Sequence, residues 1–79
     1  MLADDLAFAM RTIAALQSGE ARKEREALGV RQIDMAGVLG VTRQAVSQWE
    51  AGVRRPSAAH ALDYGRTLEE IAENPAAFL

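Results

Sequence analysis

Several residue types are scarce or missing in this 79-residue sequence, and each absence excludes a class of structure or function. Cysteine is absent, which excludes disulfides and thiolate metal sites. A single histidine supplies too few ligands for a conventional zinc site, so we expect no metal and no cofactor. No apolar run approaches the roughly 18 residues that a membrane span needs. Asp4 and Asp5 stand where a signal peptide would be basic, so we expect a cytoplasmic protein with no membrane partner.

Aromatic residues make up only 5% of the sequence, although hydrophobic residues as a whole make up 49%. Alanine and leucine supply most of this apolar content, and that mixture favours helices over sheets. No stretch alternates apolar and polar residues in the way that a half-buried strand does. The length suits a single small domain, residues 1–79, whose limited core would make a lone monomer marginally stable.

The net charge of −2 by itself argues against a nucleic-acid partner, but the charges are unevenly distributed. Between Glu20 and Ser57 there are seven basic and five acidic residues, whereas the two flanks together hold two basic and six acidic residues. A locally basic middle between acidic ends is compatible with one surface that faces DNA.

Glycines, prolines and capping residues divide the sequence into five predicted helices. These helices cover about residues 3–17, 20–28, 32–39, 43–51 and 58–72. Gly40 suits a left-handed turn between the third and fourth helices, and Thr42 is a favourable N-cap for the fourth. The sequence therefore predicts an all-α bundle, with a core over 20–72 preceded by an N-terminal helix within 1–18.

The segment from Gln32 to Gly52 has the pattern of two short helices that cross closely. Ala36 is the small residue that such a crossing needs, and Val46 and Trp49 are apolar residues three apart that lock the second helix onto the first. The outward face of the second helix then carries polar side chains, namely Arg43, Gln44, Ser47 and Gln48. An α-helix fits the major groove of B-DNA, where Arg and Gln side chains pair with guanine and adenine edges.

Over about residues 22–68 the sequence resembles the Cro/repressor-type (XRE-like) helix-turn-helix family. The positions that carry the resemblance are Arg25, Gln32, Ala36, Gly40, Val46, Glu50, Gly52 and Pro56. The resemblance implies a compact bundle of the lambda-repressor-like DNA-binding type, to which the helix within residues 1–18 is an addition.

The resemblance also implies a role for each matching position. Base contacts would come from Arg43, Gln44, Ser47 and Gln48, and DNA backbone contacts from Gln32, Thr42, Arg54 and Arg55. The recognition helix, which would enter the major groove, would be the predicted helix at about residues 43–51. Gln32 would in addition brace this recognition helix, while Arg25 and Glu50 would form an internal ion pair. The sequence departs from the family at Arg31, where relatives have a Thr or Ser cap, and at Gly37, which lies within a helix.

The function expected from these features is sequence-specific binding of double-stranded DNA by a transcriptional regulator of a bacterium, phage or plasmid. The simplest form is a repressor that binds a palindromic operator as a homodimer, with no small-molecule ligand. The alternative is an antitoxin or adaptor that uses the same fold to hold another protein, which the acidic net charge supports. No nucleophile–base pair or Gly-rich phosphate loop is present, so we do not expect an enzyme.

The N-terminal helix carries an apolar seam at heptad spacing, formed by Leu2, Leu6, Ala9, Ile13 and Leu16. A seam of this kind has to be covered. One alternative is that it folds onto its own domain and covers Leu62 and Leu68. The other, which we favour from the sequence, is a dimer interface made of Leu2, Leu6, Ile13, Leu16 and Phe78.

Overall fold

The computed structural model describes residues 1–78 and the side chains of residues 1–76. It contains α1 (Ala3–Ser18), α2 (Glu20–Ala27), α3 (Gln32–Leu39), α4 (Arg43–Glu50), α5 (Ala58–Glu73) and a single turn, α6 (Pro75–Phe78). No strand occurs in residues 1–78, so the predicted all-α bundle with an additional N-terminal helix is confirmed. No helix within this range has the length and apolar character needed to cross a bilayer.

Polar side chains cap the starts of α4 and α5. The Thr42 hydroxyl accepts a hydrogen bond from the Ala45 amide, and the Ser57 hydroxyl accepts one from the His60 amide, each at 3.1 Å. These contacts satisfy amides that have no partner within the helix. Gly40 ends α3 with a φ of 68°, a left-handed conformation that is costly for residues with a side chain. The reversal between α3 and α4 therefore follows from a glycine and a threonine.

The start of α3 is held by an acidic side chain instead of a hydroxyl cap. Asp34 Oδ2 accepts a hydrogen bond from the Arg31 amide at 3.0 Å, and the Arg31 guanidinium donates to both carboxylate oxygens. These hydrogen bonds lower the pKa of Asp34 below its ordinary value. Asp34 thus compensates for the arginine that stands at the N-cap.

The main core lies between the helix-turn-helix and the two long helices. Its buried members come from α1 to α5 and from the turn before α3: Leu16, Ala21, Val30, Met35, Ala36, Val46, Trp49, Tyr64, Leu68 and Ile71. Val46 and Trp49 bury the inner face of α4, as the spacing of these two residues predicts. Because the inner face is fixed in this way, the outer face of α4 is held in a defined orientation toward solvent.

The N-terminal helix is folded onto its own domain, mainly across α5. Ala9 and Ile13 pack with Ala61 in a second apolar cluster. At the crossing point Gly65 leaves no room for a Cβ, since the side chains of Phe8 and Thr12 occupy that space. The structure therefore uses much of the α1 seam inside the subunit.

This packing corrects part of the dimer interface expected from the sequence. Ile13 and Leu16 are only 4% and 1% exposed, so they are core residues of the subunit and cannot meet a partner. Leu2 and Leu6, by contrast, are 75% and 47% exposed. The Phe78 side chain lies outside the part of the chain whose side chains are described.

Candidate nucleic-acid interface

The outer face of α4 presents the polar surface that the sequence predicts. Arg43 and Gln44 are exposed in the first turn of the helix, and Ser47 and Gln48 are half-buried one turn later. Thr42 precedes them at the N-cap. Its hydroxyl oxygen accepts a hydrogen bond from the helix, which leaves the hydroxyl hydrogen able to donate to a phosphate. The face thus combines side-chain types that are able to pair with base edges and a hydroxyl donor of the kind that contacts phosphates.

One amide side chain connects this face to the interior of the protein. Gln32 Nε2 donates to Glu50 Oε1 at 3.0 Å, while Gln32 Oε1 accepts from Arg43 Nη1 at 3.1 Å. A carboxylate only accepts hydrogen bonds, so Glu50 fixes which end of the Gln32 amide faces it. The carbonyl oxygen is thereby turned toward the guanidinium of Arg43. Gln32 braces the first residue of α4 from the neighbouring helix.

Behind Gln32, Arg25 and Glu50 form a buried, two-pronged ion pair. Arg25 Nε lies 2.7 Å from Glu50 Oε2, and Arg25 Nη2 lies 2.9 Å from Glu50 Oε1. Arg25 Nη1 donates to the Val30 carbonyl at 2.6 Å. The side chains of Arg25 and Glu50 are 6% and 1% exposed. The geometry is that of a charge-assisted fork, which fixes the end of α4 against α2.

The Tyr64 hydroxyl completes the shell around Glu50. It donates to Glu50 Oε2 at 2.7 Å, and the tyrosine is fully buried on α5. Burial opposes the ionisation of Glu50, but hydrogen bonds from Arg25, Gln32 and Tyr64 outweigh it and hold the pKa of Glu50 below its ordinary value. Burial and the hydrogen bond to Glu50 raise the pKa of Tyr64 well above its ordinary value. A single carboxylate therefore joins α2, α3 and α5 to the recognition helix.

Sequence reasoning did not assign a role to Tyr64. The only available signal is that a buried tyrosine hydroxyl needs a hydrogen-bond partner. Periodicity places Tyr64 on the apolar face of α5, but it does not show that Glu50 is the residue opposite. His60 also has a contact that the sequence pattern does not reveal. The centroid of its ring lies 5.5 Å from that of the Trp49 ring, in a tilted contact.

The loop after α4 carries the two arginines expected to contact the DNA backbone. Val53 and Arg54 donate their amides to the Gln48 carbonyl at 3.0 and 3.3 Å, so the loop is folded back onto the end of α4. Arg54 and Arg55 are both exposed. Arg55 Nη2 also lies 3.5 Å from Met10 Sδ on α1. The loop thus presents two guanidinium groups directly beyond the recognition helix.

Helix α4 follows a tight turn, has a polar outer face, is braced by a buried ion pair and is followed by a basic loop. This arrangement is that of the DNA-binding helix-turn-helix class of proteins. Residues 22–71 match the model of a family described as Helix-turn-helix, and this match covers more than half of the chain. The chain therefore belongs to the helix-turn-helix family of the Cro/XRE type, and it is a DNA-binding regulator of that type. Comparisons with curated proteins and with solved structures gave no match.

Proposed function

We propose that the protein is a sequence-specific repressor that inserts α4 into the major groove of a palindromic operator. The observation that carries this proposal is the outer face of α4, where Arg43, Gln44, Ser47 and Gln48 lie together on a helix fixed to the core. Because a base contact depends on placing donors and acceptors within hydrogen-bond reach, a rigidly held polar face favours selective binding over general attraction to DNA.

The proposed contacts divide between bases and backbone. Arg43 and Gln44 are the most exposed of the four polar residues, and their side chains are suited to two-pronged pairing with guanine and with adenine. Ser47 and Gln48 extend the same face by one turn. The backbone contacts are assigned to Gln32, Thr42, Arg54 and Arg55, which lie at the two ends of α4. In this arrangement the ends set the register and the middle reads the sequence.

The proposal includes binding as a homodimer. One recognition helix contacts only a few base pairs, and two copies related by a two-fold axis double the length of the site. The half-sites of such an operator would lie about one helical turn, roughly 34–36 Å, apart or a multiple of that distance. Because α4 is occupied by DNA in this arrangement, the interface between the two copies has to lie outside α4.

Selection of binding sites from random duplex DNA tests the proposal with the purified, full chain. We expect enrichment of an inverted repeat whose half-sites are separated by about one helical turn or a multiple of it. Retention of DNA without any enriched sequence would contradict sequence-specific binding. Failure to retain DNA at low salt would contradict the proposal altogether and would favour the alternative of a module that binds another protein.

A further inference from the structure

The first helix carries a second apolar surface that its own domain covers only in part. This outer face consists of Ala3, Leu6, Ala7, Met10 and Ala14, all of which are exposed. Leu6 is 47% and Met10 44% exposed. Met1 and Leu2, directly before the helix, are exposed as well and extend the apolar surface at this end. Ala3, Ala7, Met10 and Ala14 are spaced at 4, 3 and 4 residues, the interval that keeps one helix in contact with a neighbouring helix.

The charges beside the outer face are arranged so that the face complements itself. Asp4 and Arg11 are seven residues apart, which places them on the same edge of the helix about two turns, or roughly 10.5 Å, from each other. No ion pair in the described part of the chain includes either residue. Asp5, in contrast, is already paired with Arg66 of α5 at 3.0 Å. The outer face is therefore an uncharged strip with one acid and one base along a single edge.

We propose that the outer face of α1 binds the same face of a second copy, with the two helices antiparallel. In an antiparallel pair related by a two-fold axis, the same edge of each helix faces that edge of the other. An axis between Ala7 and Phe8 sets Asp4 of each copy opposite Arg11 of the other, which gives two symmetric ion pairs. The surface thus selects a second copy of this chain on grounds of charge.

The sizes of the side chains fit the same arrangement. With the axis between Ala7 and Phe8, the Ala7 residues of the two copies meet at the centre of the pair. Met10 of each copy then lies over the gap between Ala3 and Ala7 of the other, so that a long side chain meets two small ones. A layered contact between large and small residues allows the two helices to approach closely.

The position of the outer face suits the proposed operator complex. Met10 contacts Arg55, so the face borders the loop assigned to the DNA backbone. The pairing therefore leaves α4 free and places the two DNA-facing loops beside the interface. The proposal deepens the homodimer of the proposed function, but it is tested in the absence of DNA, so the outcomes for dimer formation and for DNA binding are independent.

Reversal of the two charges tests the pairing through oligomeric state. Asp4→Arg and Arg11→Asp should each turn two attractive contacts into repulsive ones and raise the dimer dissociation constant about tenfold in sedimentation equilibrium. The double variant Asp4→Arg/Arg11→Asp should restore the wild-type constant. Glu70→Arg, which makes the same charge change as Asp4→Arg at an exposed site on α5, serves as the control. Circular dichroism checks that each variant remains folded.

A cysteine crosslink gives a second test that does not depend on the charge variants folding. Because the sequence has no cysteine, Ala7→Cys introduces a single thiol in each copy. The proposed axis brings the two introduced thiols within disulfide range, so mild oxidation should yield a covalent dimer. Ala27→Cys, at an exposed alanine on α2, should not crosslink at the same concentration.

A dimer that is weakened by each single reversal, restored by the double reversal and crosslinked through Ala7→Cys supports the proposal. A wild-type protein that is monomeric at all accessible concentrations overturns it. A dimer that ignores the charge reversals and fails to crosslink through Ala7→Cys also overturns it, since its interface would then lie elsewhere.

Discussion

At the scale of single residues, the carboxylate of Glu50 holds the recognition helix, α4, in place against the rest of the domain. It accepts four hydrogen bonds from three side chains, those of Arg25, Gln32 and Tyr64. A buried charge is costly unless it is fully paired, and here every described buried polar side-chain atom has a partner. Loss of any one donor therefore leaves the carboxylate less well compensated and loosens the end of α4.

Removal of Arg25 should be severely destabilising. In Arg25→Ala the Glu50 charge remains buried without its counterion, and we expect the free energy of unfolding to fall by about 3–5 kcal/mol. Arg22→Ala is the matched control, because Arg22 pairs with Glu26 at 3.7 Å on the exposed side of the same helix. That change should cost less than about 1 kcal/mol. Equal losses for the two variants in urea unfolding would show that burial of the Arg25–Glu50 pair contributes little.

The lowered pKa of Glu50 makes stability depend on pH in one direction. The unfolded chain ionises this residue at its ordinary pKa, whereas the folded protein keeps it ionised to lower pH. The contribution is therefore fully present above the unfolded pKa and is lost as the pH falls through the folded pKa. Glu50→Gln should flatten the acid limb of a stability–pH curve measured by thermal unfolding. An unchanged acid limb in that variant would rule out Glu50 as its source.

At the scale of helices, the sequence predicts the first and last residues of each helix better than it predicts which element packs against its apolar face. The bounds of α1 to α5 agree with the predicted ones to within one residue, because Gly40, Thr42 and Ser57 mark turns and caps directly. The extra turn of α6 was not predicted. Periodicity identified the apolar seam of α1, but it could not distinguish α5 of the same subunit from a partner. That choice depends on the close approach at Gly65, which no local pattern reveals.

Replacement by alanine should have opposite effects at two helical glycines, because only Gly65 lies where α1 and α5 approach closely. In Gly65→Ala the added methyl meets Phe8 and Thr12, so we expect a loss of about 1–3 kcal/mol that outweighs the gain in helix propensity. Gly37 lies within α3 with open space around it, so Gly37→Ala should stabilise the protein by roughly 0.5–1 kcal/mol. Chemical denaturation measures both. A stabilising Gly65→Ala would contradict the described contact between α1 and α5.

At the scale of the whole molecule, the distribution of charge matters more than its sum. The protein has a net charge of −2, yet the segment that holds the helix-turn-helix is basic overall. Glu50, the acidic residue within α4, is buried and paired with Arg25. Arg43, Arg54 and Arg55 are exposed at the two ends of α4. The face proposed to meet DNA is thus locally positive on an acidic protein.

Replacement of both loop arginines should change how DNA binding responds to salt. Each cation that meets a phosphate releases condensed counterions, so Arg54→Ala/Arg55→Ala should weaken binding to all sequences and reduce the slope of log K against log[salt] by about 2. Arg22→Ala/Lys23→Ala, which also removes two exposed positive charges but outside the proposed contacts, is the control for a general loss of positive charge. A salt slope equal to that of the wild type would place the loop away from the DNA backbone.

The central claim, that α4 reads bases, is tested most directly by repeating the selection from random duplex DNA with Gln44→Ala. Gln44 is exposed and makes no described side-chain hydrogen bond, so the variant should fold normally. We expect it to keep the same inverted repeat and lose the preference at one base pair in each half-site, with a discrimination loss of about 1–3 kcal/mol. A selected sequence identical to that of the wild type, or an equal loss of affinity for every sequence, would contradict base reading by α4.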